Sequence, residues 1–405
     1  MQFENVIGQV AVKKHLVDLV QQNRLGHALL FLEKEGSGAL AMALAFSQYI
    51  TCVSAKNESA VSPGLFGEEV KTSPKEKETF DACGQCPSCI KAQQFIHPDI
   101  HFSFPVIPRK AGTPPVSDDY INEWREFISL SPYGNVYDWL QFLGAENKQG
   151  NITADECNLI NHKLSLKAFE SRYKILIMWM PEFLGTSGNK LLKLIEEPPP
   201  DTLFIFVAND ENAILPTILS RTQLIKFPVL ANDEIEKALI NFSNVSPEKA
   251  SQVAAVSEGN YREALLVNQN AEQDWEALVR DWLNVTVKNN ASAQLKWIDE
   301  ISQLGREKQK QFLRYFIHLL SQAVRIRFIA EDQLISSYFQ IPANEKDFAV
   351  RLNKLCSIEA QEAIINELDK AIFYIERNAH SKLLFHALTI RLHHIIKDNS
   401  LILIS

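Results

Sequence analysis

The sequence predicts an α/β protein that begins with a parallel, doubly wound sheet and ends in an all-α domain. Short apolar runs with the length of buried strands alternate with helical patterns as far as residue 227. The first run, ALLFL, leads through a glycine-containing loop into a long apolar helix at 40–50, the order in which a nucleotide-binding domain begins. Beyond residue 275 only amphipathic helical spacing remains, which indicates that the C-terminal region of the chain is helical.

Local patterns predict the individual elements of the α/β region. Helical spacing at 10–23 precedes the ALLFL strand, and HPDIHFSFPVIP has the pattern of a second strand. Residues 116–151 show polar and aromatic helix and loop patterns without a chemical motif. The remaining predicted elements are a helix at 154–166, the strand KILIM at 174–178, a helix at 187–200 that three prolines end, and the strand LFIFVAND at 203–210.

Changes in composition divide the chain into three predicted domains. Residues 1–230 form the α/β core, which carries a cysteine-rich module at about 52–90 and an insertion at 101–151. Helical patterns at 231–274 predict a small helical lid. Residues 275–405 predict a helical domain whose apolar stripes serve either a bundle core or oligomerisation.

Composition and charge are those of an ordinary soluble protein. The 405 residues are 46% hydrophobic, and 49 acidic against 41 basic residues give a net charge of -8. That balance argues against a general electrostatic hold on DNA. The start MQFENVIGQ lacks a signal-peptide pattern, and no run of about 18 apolar residues occurs, so we expect a cytoplasmic protein without membrane contact.

Four of the six cysteines, Cys52, Cys83, Cys86 and Cys89, form a group that predicts a structural zinc site. Clustered thiols in a cytosolic chain favour a metal over a disulfide. The run CGQCPSC can wrap a tetrahedral ion with three thiolates, and Cys52 would be the fourth ligand. A redox pair and unligated buried thiols are the alternatives. The polar residues 53–82 predict a solvated, disordered insertion.

The loop FLEKEGSGAL has the outline of a phosphate-binding loop without its functional residues. A P-loop reads G-x-x-x-x-G-K-[ST], and here Gly36 and Gly38 are followed by Ala39 and Leu40, which cannot bind phosphate or magnesium. Glu33 replaces the first glycine and adds a carboxylate beside the phosphate space. We therefore expect that ATP does not bind this chain. For this stretch alone, an ordinary turn before a helix is the alternative.

The KILIM strand has lost a second set of polar groups. A strand of this kind in an ATP site should end in acids that position magnesium and water. It ends instead in Trp179 and Met180. Both halves of one ATP site have thus lost their polar groups, which indicates a degenerate nucleotide site.

Seven pieces of the sequence, in order along the chain, form a pattern: FENVIGQ at 3–9, HALLF at 27–31, the four cysteines, HPDI at 97–100, NKLLKLIEEPP at 189–199, LPTILSRTQ at 215–223 and GNYREAL at 259–265. With these pieces the chain resembles the clamp-loader branch of the AAA+ ATPases over roughly residues 1–270. The C-terminal third carries no matching motif, so a helical collar there is implied by the resemblance and by helical periodicity. The wide gap between Cys52 and Cys83 and the segment 101–151 depart from the family pattern.

The resemblance implies roles for four polar residues. Ser220 and Arg221 match an SRC-like motif, with Thr222 in place of the cysteine, whose arginine reaches the γ-phosphate bound by a neighbouring subunit. Local pairing of Arg221 at a strand edge is the alternative. Asn209 and Arg262 occupy phosphate-sensing positions of the family, where we expect them to be remnants, with Arg262 forming ion pairs within the chain.

The function implied is that of a non-hydrolysing subunit of the sliding-clamp loader of DNA polymerase III in DNA replication. Such a subunit would be a rigid stator in a heteropentamer with gamma or tau and delta subunits. It would reach the sliding clamp and primer-template DNA through the complex. One alternative is a divergent but active gamma/tau-like ATPase that uses Lys34 in place of the lost lysine. Another is a free-standing zinc scaffold.

Overall fold

In a computed structural model the chain divides into two compact units, Met1–Leu266 and Val267–Ser405. The described residues are 1–54, 81–109, 112–145, 148–269, 275–288, 290–328, 343–377 and 379–398. Most of the predicted disordered insertion at 53–82 lies outside these residues. The predicted boundary between an α/β core and a lid near residue 230 stays a prediction, since both segments belong to the first unit.

A five-stranded parallel sheet forms the centre of the first unit and confirms the predicted fold class. Every position of β3 and β4 is buried, because a parallel sheet is covered on both faces. The order across the sheet is β2-β3-β4-β1-β5. The strands are β1 at Ala28–Glu33, β2 at Ile100–Ser103, β3 at Lys174–Trp179, β4 at Thr202–Ala208 and β5 at Gln223–Phe227.

Eleven described α-helices accompany this sheet. Helix α2 is buried along its whole length, which suits its run of alanine and apolar residues. The helices are α1 at Val10–Gln21, α2 at Ala39–Thr51, α3 at Pro87–Gln93, α4 at Ile121–Leu130, α5 at Val136–Phe142, α6 at Ala154–Ser165, α7 at Leu192–Glu196, α8 at Pro216–Leu219, α9 at Asn232–Ser243, α10 at Pro247–Val256 and α11 at Tyr261–Gln269.

The single helix predicted at 187–200 is wrong in detail. A 3-10 segment, Pro181–Leu191, precedes the five-residue helix α7. Gly185 inside that segment has φ 48° and ψ -139°, a conformation outside any helix. The prolines after Glu197 end α7, as the sequence predicts.

Every secondary-structure element described in the second unit is a helix, as predicted. Its core centres on Trp282, whose indole stacks on Trp297 with centroids 4.8 Å apart and donates a hydrogen bond to Thr389 Oγ1 at 2.9 Å. None of the described helices is long and apolar enough to cross a bilayer. The helices are α12 at Trp275–Lys288, α13 at Ala291–Gln303, α14 at Arg306–Phe328, α15 at Ala343–Leu355, α16 at Ile358–Glu376 and α17 at Ser381–Asp398.

Candidate functional site

The candidate site lies at the carboxyl edge of the sheet, where three neighbouring strands end together. Leu32 of β1 pairs with Ala208 of β4, and Trp179 of β3 pairs with Val207. The loop after β1, the end of β3 and Asn209 after β4 are therefore adjacent. This edge is where ligands bind in open α/β sheets.

The loop between β1 and α2 needs both of its glycines. Gly36 and Gly38 have φ values of 77° and 95°, which side chains of L residues rarely allow. A Cβ atom on Gly38 would lie 2.7 Å from Cε1 of Tyr133, and one on Gly36 would lie 1.9 Å from Oδ1 of Asn260. The loop is thus closely covered by the insertion on one side and by the lid, helices α9 to α11, on the other.

Glu33 places its carboxyl group inside this loop. Its Oε2 accepts the backbone N–H of Ala39 at 2.9 Å, and only 8% of the residue is exposed. Burial raises the pKa of Glu33 to about 7, although hydrogen bonds from the backbone N–H groups of Ala39 and Gly38 oppose the shift. The N–H groups that could hold an anion at the start of α2 are therefore used by the chain itself.

The side chains that replace the P-loop lysine and hydroxyl face the interior. Ala39 and Leu40 are fully or almost fully buried in α2. Lys34, which the alternative ATPase hypothesis requires, is exposed on the loop before Gly36. The loop thus presents no described cation where phosphate would bind.

The end of β3 is covered by aromatic side chains. Trp179 is 1% exposed, and its ring centroid lies 5.1 Å from that of Trp124 and 6.1 Å from that of Phe127, both on α4. Met180 is buried beside it with φ 56°. The position of the expected acids is therefore dry and apolar. The aromatic cluster consists of Phe104, Tyr120, Trp124, Phe127, Trp139, Phe142 and Trp179.

Arg262 on the lid is almost fully buried and pairs with two carboxylates. Its side chain is 4% exposed, and Nε and Nη2 donate to Oδ2 and Oδ1 of Asp138 at 2.5 and 2.6 Å. Nη1 donates to Glu35 Oε1 at 3.0 Å. These contacts give Arg262 ion pairs within the chain, as the sequence led us to expect. Its role as a remnant sensor stays a prediction.

Asn209 is held at the same edge through its backbone. Its N–H donates to Oε1 of Glu182 at 2.6 Å, and the N–H of Asp210 donates to the same oxygen at 3.0 Å. Burial raises the pKa of Glu182, because the backbone hydrogen bonds only partly offset the loss of water. Glu182 therefore fixes the turn after β4, and the sensing role of Asn209 stays a prediction.

Arg221 lies at the surface, just beyond α8. Its guanidinium pairs with Glu196 of α7 and donates to the backbone oxygen of Thr217 at 2.7 Å and to Ser220 Oγ at 3.1 Å. The side chain keeps 34% of its surface exposed. Among the described residues its polar partners belong to this surface and not to the loop after β1.

The four clustered cysteines converge on one point. Their Sγ atoms all lie within 4.8 Å of one another, and those of Cys83 and Cys89 are 3.9 Å apart. Tetrahedral zinc with Zn–S bonds of about 2.3 Å sets sulfurs about 3.8 Å apart. The N–H groups of Cys83, Cys86 and Cys89 each donate to the Sγ of another member at 3.4 Å, so the thiols are already oriented. The four cysteines could hold a metal ion.

Sequence comparisons show similarity between the chain and subunits of DNA polymerase III. A family model described as DNA polymerase III, delta subunit, matches residues 65–231. Over 265 residues the chain is 26% identical to DNA polymerase III subunit delta' of Bacillus subtilis, covering 65% of this chain and 60% of that protein. It is 24% identical to the gamma/tau subunit of Mycobacterium tuberculosis over 229 residues, covering 56% of this chain and 29% of that protein. The chain thus spans less than two thirds of the length of either relative.

Two solved structures also resemble the chain. A gamma subunit-related protein of Thermotoga maritima aligns with 15% identity over 95% of this chain and 99% of that one, with a TM-score of 0.39. The clamp loader delta protein of Bacillus subtilis aligns with 14% identity over 58% of this chain and 82% of that one, with a TM-score of 0.26.

Proposed function

We propose that this chain, which belongs to the clamp-loader family of DNA polymerase III subunits, acts there as a delta prime type subunit without ATPase activity. The observation that carries the proposal is the occupied loop: the Glu33 carboxyl group accepts the backbone N–H of Ala39 at the start of α2. An ATPase of this kind needs a lysine on the phosphates, a hydroxyl on magnesium and an acid beside them. Ala39, Leu40 and Trp179 stand in those places.

The contribution to catalysis would come from Arg221, acting on ATP bound by a neighbouring gamma or tau subunit. A guanidinium is always charged and matches phosphate with a planar set of donors. Its partial exposure and its ion pair with Glu196 support this role, because a phosphate can replace a carboxylate as partner at the surface. Ser220 would orient the guanidinium through its hydroxyl.

The partners proposed are the gamma or tau and delta subunits of the loader. The helical second unit would serve as the collar that joins them, and the rigid first unit as a stator. The sliding clamp and primer-template DNA would be reached through the complex, since a net charge of -8 offers no general attraction to phosphate.

The cysteine cluster would hold structural zinc. A closed site of four thiolates supplies a crosslink and leaves no position for substrate. Here the ligands Cys83, Cys86 and Cys89 would tie the start of α3 to Cys52 at the end of α2.

ATP turnover by the reconstituted loader tests whether Arg221 acts as an arginine finger. An arginine finger is worth about 10³–10⁵ in turnover at its site, so Arg221→Ala should nearly silence one site and lower total turnover by that site's share. The matched control is Arg172→Ala, which removes an exposed arginine that pairs with Asp201. Unchanged turnover, or an equal loss in the control, would contradict the assignment.

Copurification tests whether the chain is part of a complex with the proposed partner subunits. The chain should be recovered with gamma or tau in one complex of defined stoichiometry. Recovery of the chain alone would favour a free-standing zinc scaffold instead.

A further inference from the structure

We infer that Tyr133 and Asp138 of the insertion, together with Glu33, replace a bound nucleotide and fix the lid on the loop without any ligand. We call Tyr133 and Asp138 the plug residues. The inference rests on the proposed absence of nucleotide binding, and goes beyond it by giving the insertion at 101–151 a role. The contacts that support it all lie inside the first unit.

The plug residue Tyr133 fills the space over the loop. Its ring lies against Gly38, closely enough that a Cβ atom there would be 2.7 Å from Cε1. Its hydroxyl oxygen accepts the N–H of Ile7 at 2.8 Å, and its ring meets Tyr261 of the lid edge to face at 5.0 Å. One side chain thus contacts the N-terminal segment, the loop and the lid.

The plug residue Asp138 neutralises the buried lid arginine. It belongs to the first turn of α5, where Asn135 caps the helix and the two side chains hydrogen bond to each other's backbone N–H. That reciprocal cap holds the carboxylate in place for its two hydrogen bonds to Arg262. Glu35 of the loop completes the pairing, so the guanidinium joins insertion, loop and lid.

The lid also contacts the loop directly. The N–H of Tyr261 donates to the backbone oxygen of Gly36 at 3.2 Å, and Asn260 covers the same glycine. A polyphosphate in this loop would need the N–H groups taken by Glu33 and a cationic partner such as Arg262. The carboxyl group of Glu33 already accepts from the loop, and those of Asp138 and Glu35 already pair with Arg262. Acidic side chains therefore stand where phosphates would, and the lid needs no nucleotide to be held.

Hydrogen exchange on the full chain tests whether the plug residues hold the lid on the loop. Asp138→Asn should speed amide exchange in α9, α10 and residues 261–266 by about tenfold or more, because it leaves a buried guanidinium short of its main partner. Asp138→Glu, which keeps the carboxylate, should restore some of the protection. The matched control is Asp233→Asn, on the surface of the same lid, where the exposed pair with Lys237 is lost.

A second variant covers the case in which Asp138→Asn fails to fold. Glu35→Gln removes the weaker and more exposed partner of Arg262 and should also loosen the lid selectively. Wild-type exchange in either or both variants would overturn the inference, as would further protection of the wild-type lid by magnesium ATP. Unchanged ATP turnover in the Arg221→Ala loader would contradict the proposed arginine finger. It would not change the hydrogen-exchange result expected for the lid.

Discussion

Arg262 and Asp138, 124 positions apart in the chain, are joined by two hydrogen bonds of 2.5 and 2.6 Å. One residue belongs to the lid and the other to an insertion that departs from the family pattern. Their pairing means that the insertion and the lid meet over the degenerate loop. The insertion therefore belongs to the candidate site and is not a peripheral addition.

Removal of Asp138 should destabilise the first unit. Asp138→Asn should lower the free energy of unfolding by about 3 kcal/mol, the lower end of the range for a broken buried pair because Glu35 still faces the guanidinium. Chemical denaturation measures the change. Asp201→Asn, which breaks an exposed pair with Arg172, should cost less than about 1 kcal/mol. Equal losses in the two variants would contradict a buried, structurally important pair.

An acid restored at the end of β3 should not restore an ATP site. Trp179→Ala should cost about 3–5 kcal/mol, since it removes a buried ring that packs against Trp124 and Phe127 of the aromatic cluster. Trp179→Asp should cost more, because a carboxylate would be buried there without a partner. Denaturation and ATPase assays of both variants provide the measurement. A Trp179→Asp chain as stable as wild type, or one that hydrolyses ATP, would show that this region is not a dry core.

The strands and the degenerate loop could be predicted from sequence because both depend on local patterns. Runs such as KILIM have the period and length of buried strands, and Ala39 and Leu40 stand at fixed motif positions. The roles of Tyr133 and Asp138 could not be predicted, since no local pattern encodes contacts with residues more than 100 positions away. The one available signal was the concentration of aromatic residues within the insertion, which indicates a core of its own.

The buried carboxyl group of Glu33 predicts a pH dependence. Its pKa rises from 4.5 to about 7 on folding, so the folded chain binds the proton more tightly than the unfolded chain. The resulting stability is complete below the unfolded pKa and is lost as pH rises through the folded pKa, a change on the order of 3 kcal/mol. The stability of wild type relative to Glu33→Gln should therefore fall between about pH 5 and about pH 8. A difference that stays constant with pH would contradict burial of this carboxyl group.

Metal analysis tests the cysteine cluster. The purified chain should carry about one zinc ion, and Cys86→Ser should lose most of it, because a structural site needs all four thiolates. Cys356→Ser is the control, since this buried cysteine belongs to the second unit. Equal zinc content in the two variants, or none in wild type, would exclude the proposed site.

Titration of the isolated chain with magnesium ATP tests the central claim most directly. A gamma or tau subunit measured in parallel is the positive control. With the loop held by Glu33 and the lid arginine held by Asp138, we predict no saturable heat of binding for this chain. Tight, magnesium-dependent binding would contradict the account and support a divergent but active clamp-loader ATPase.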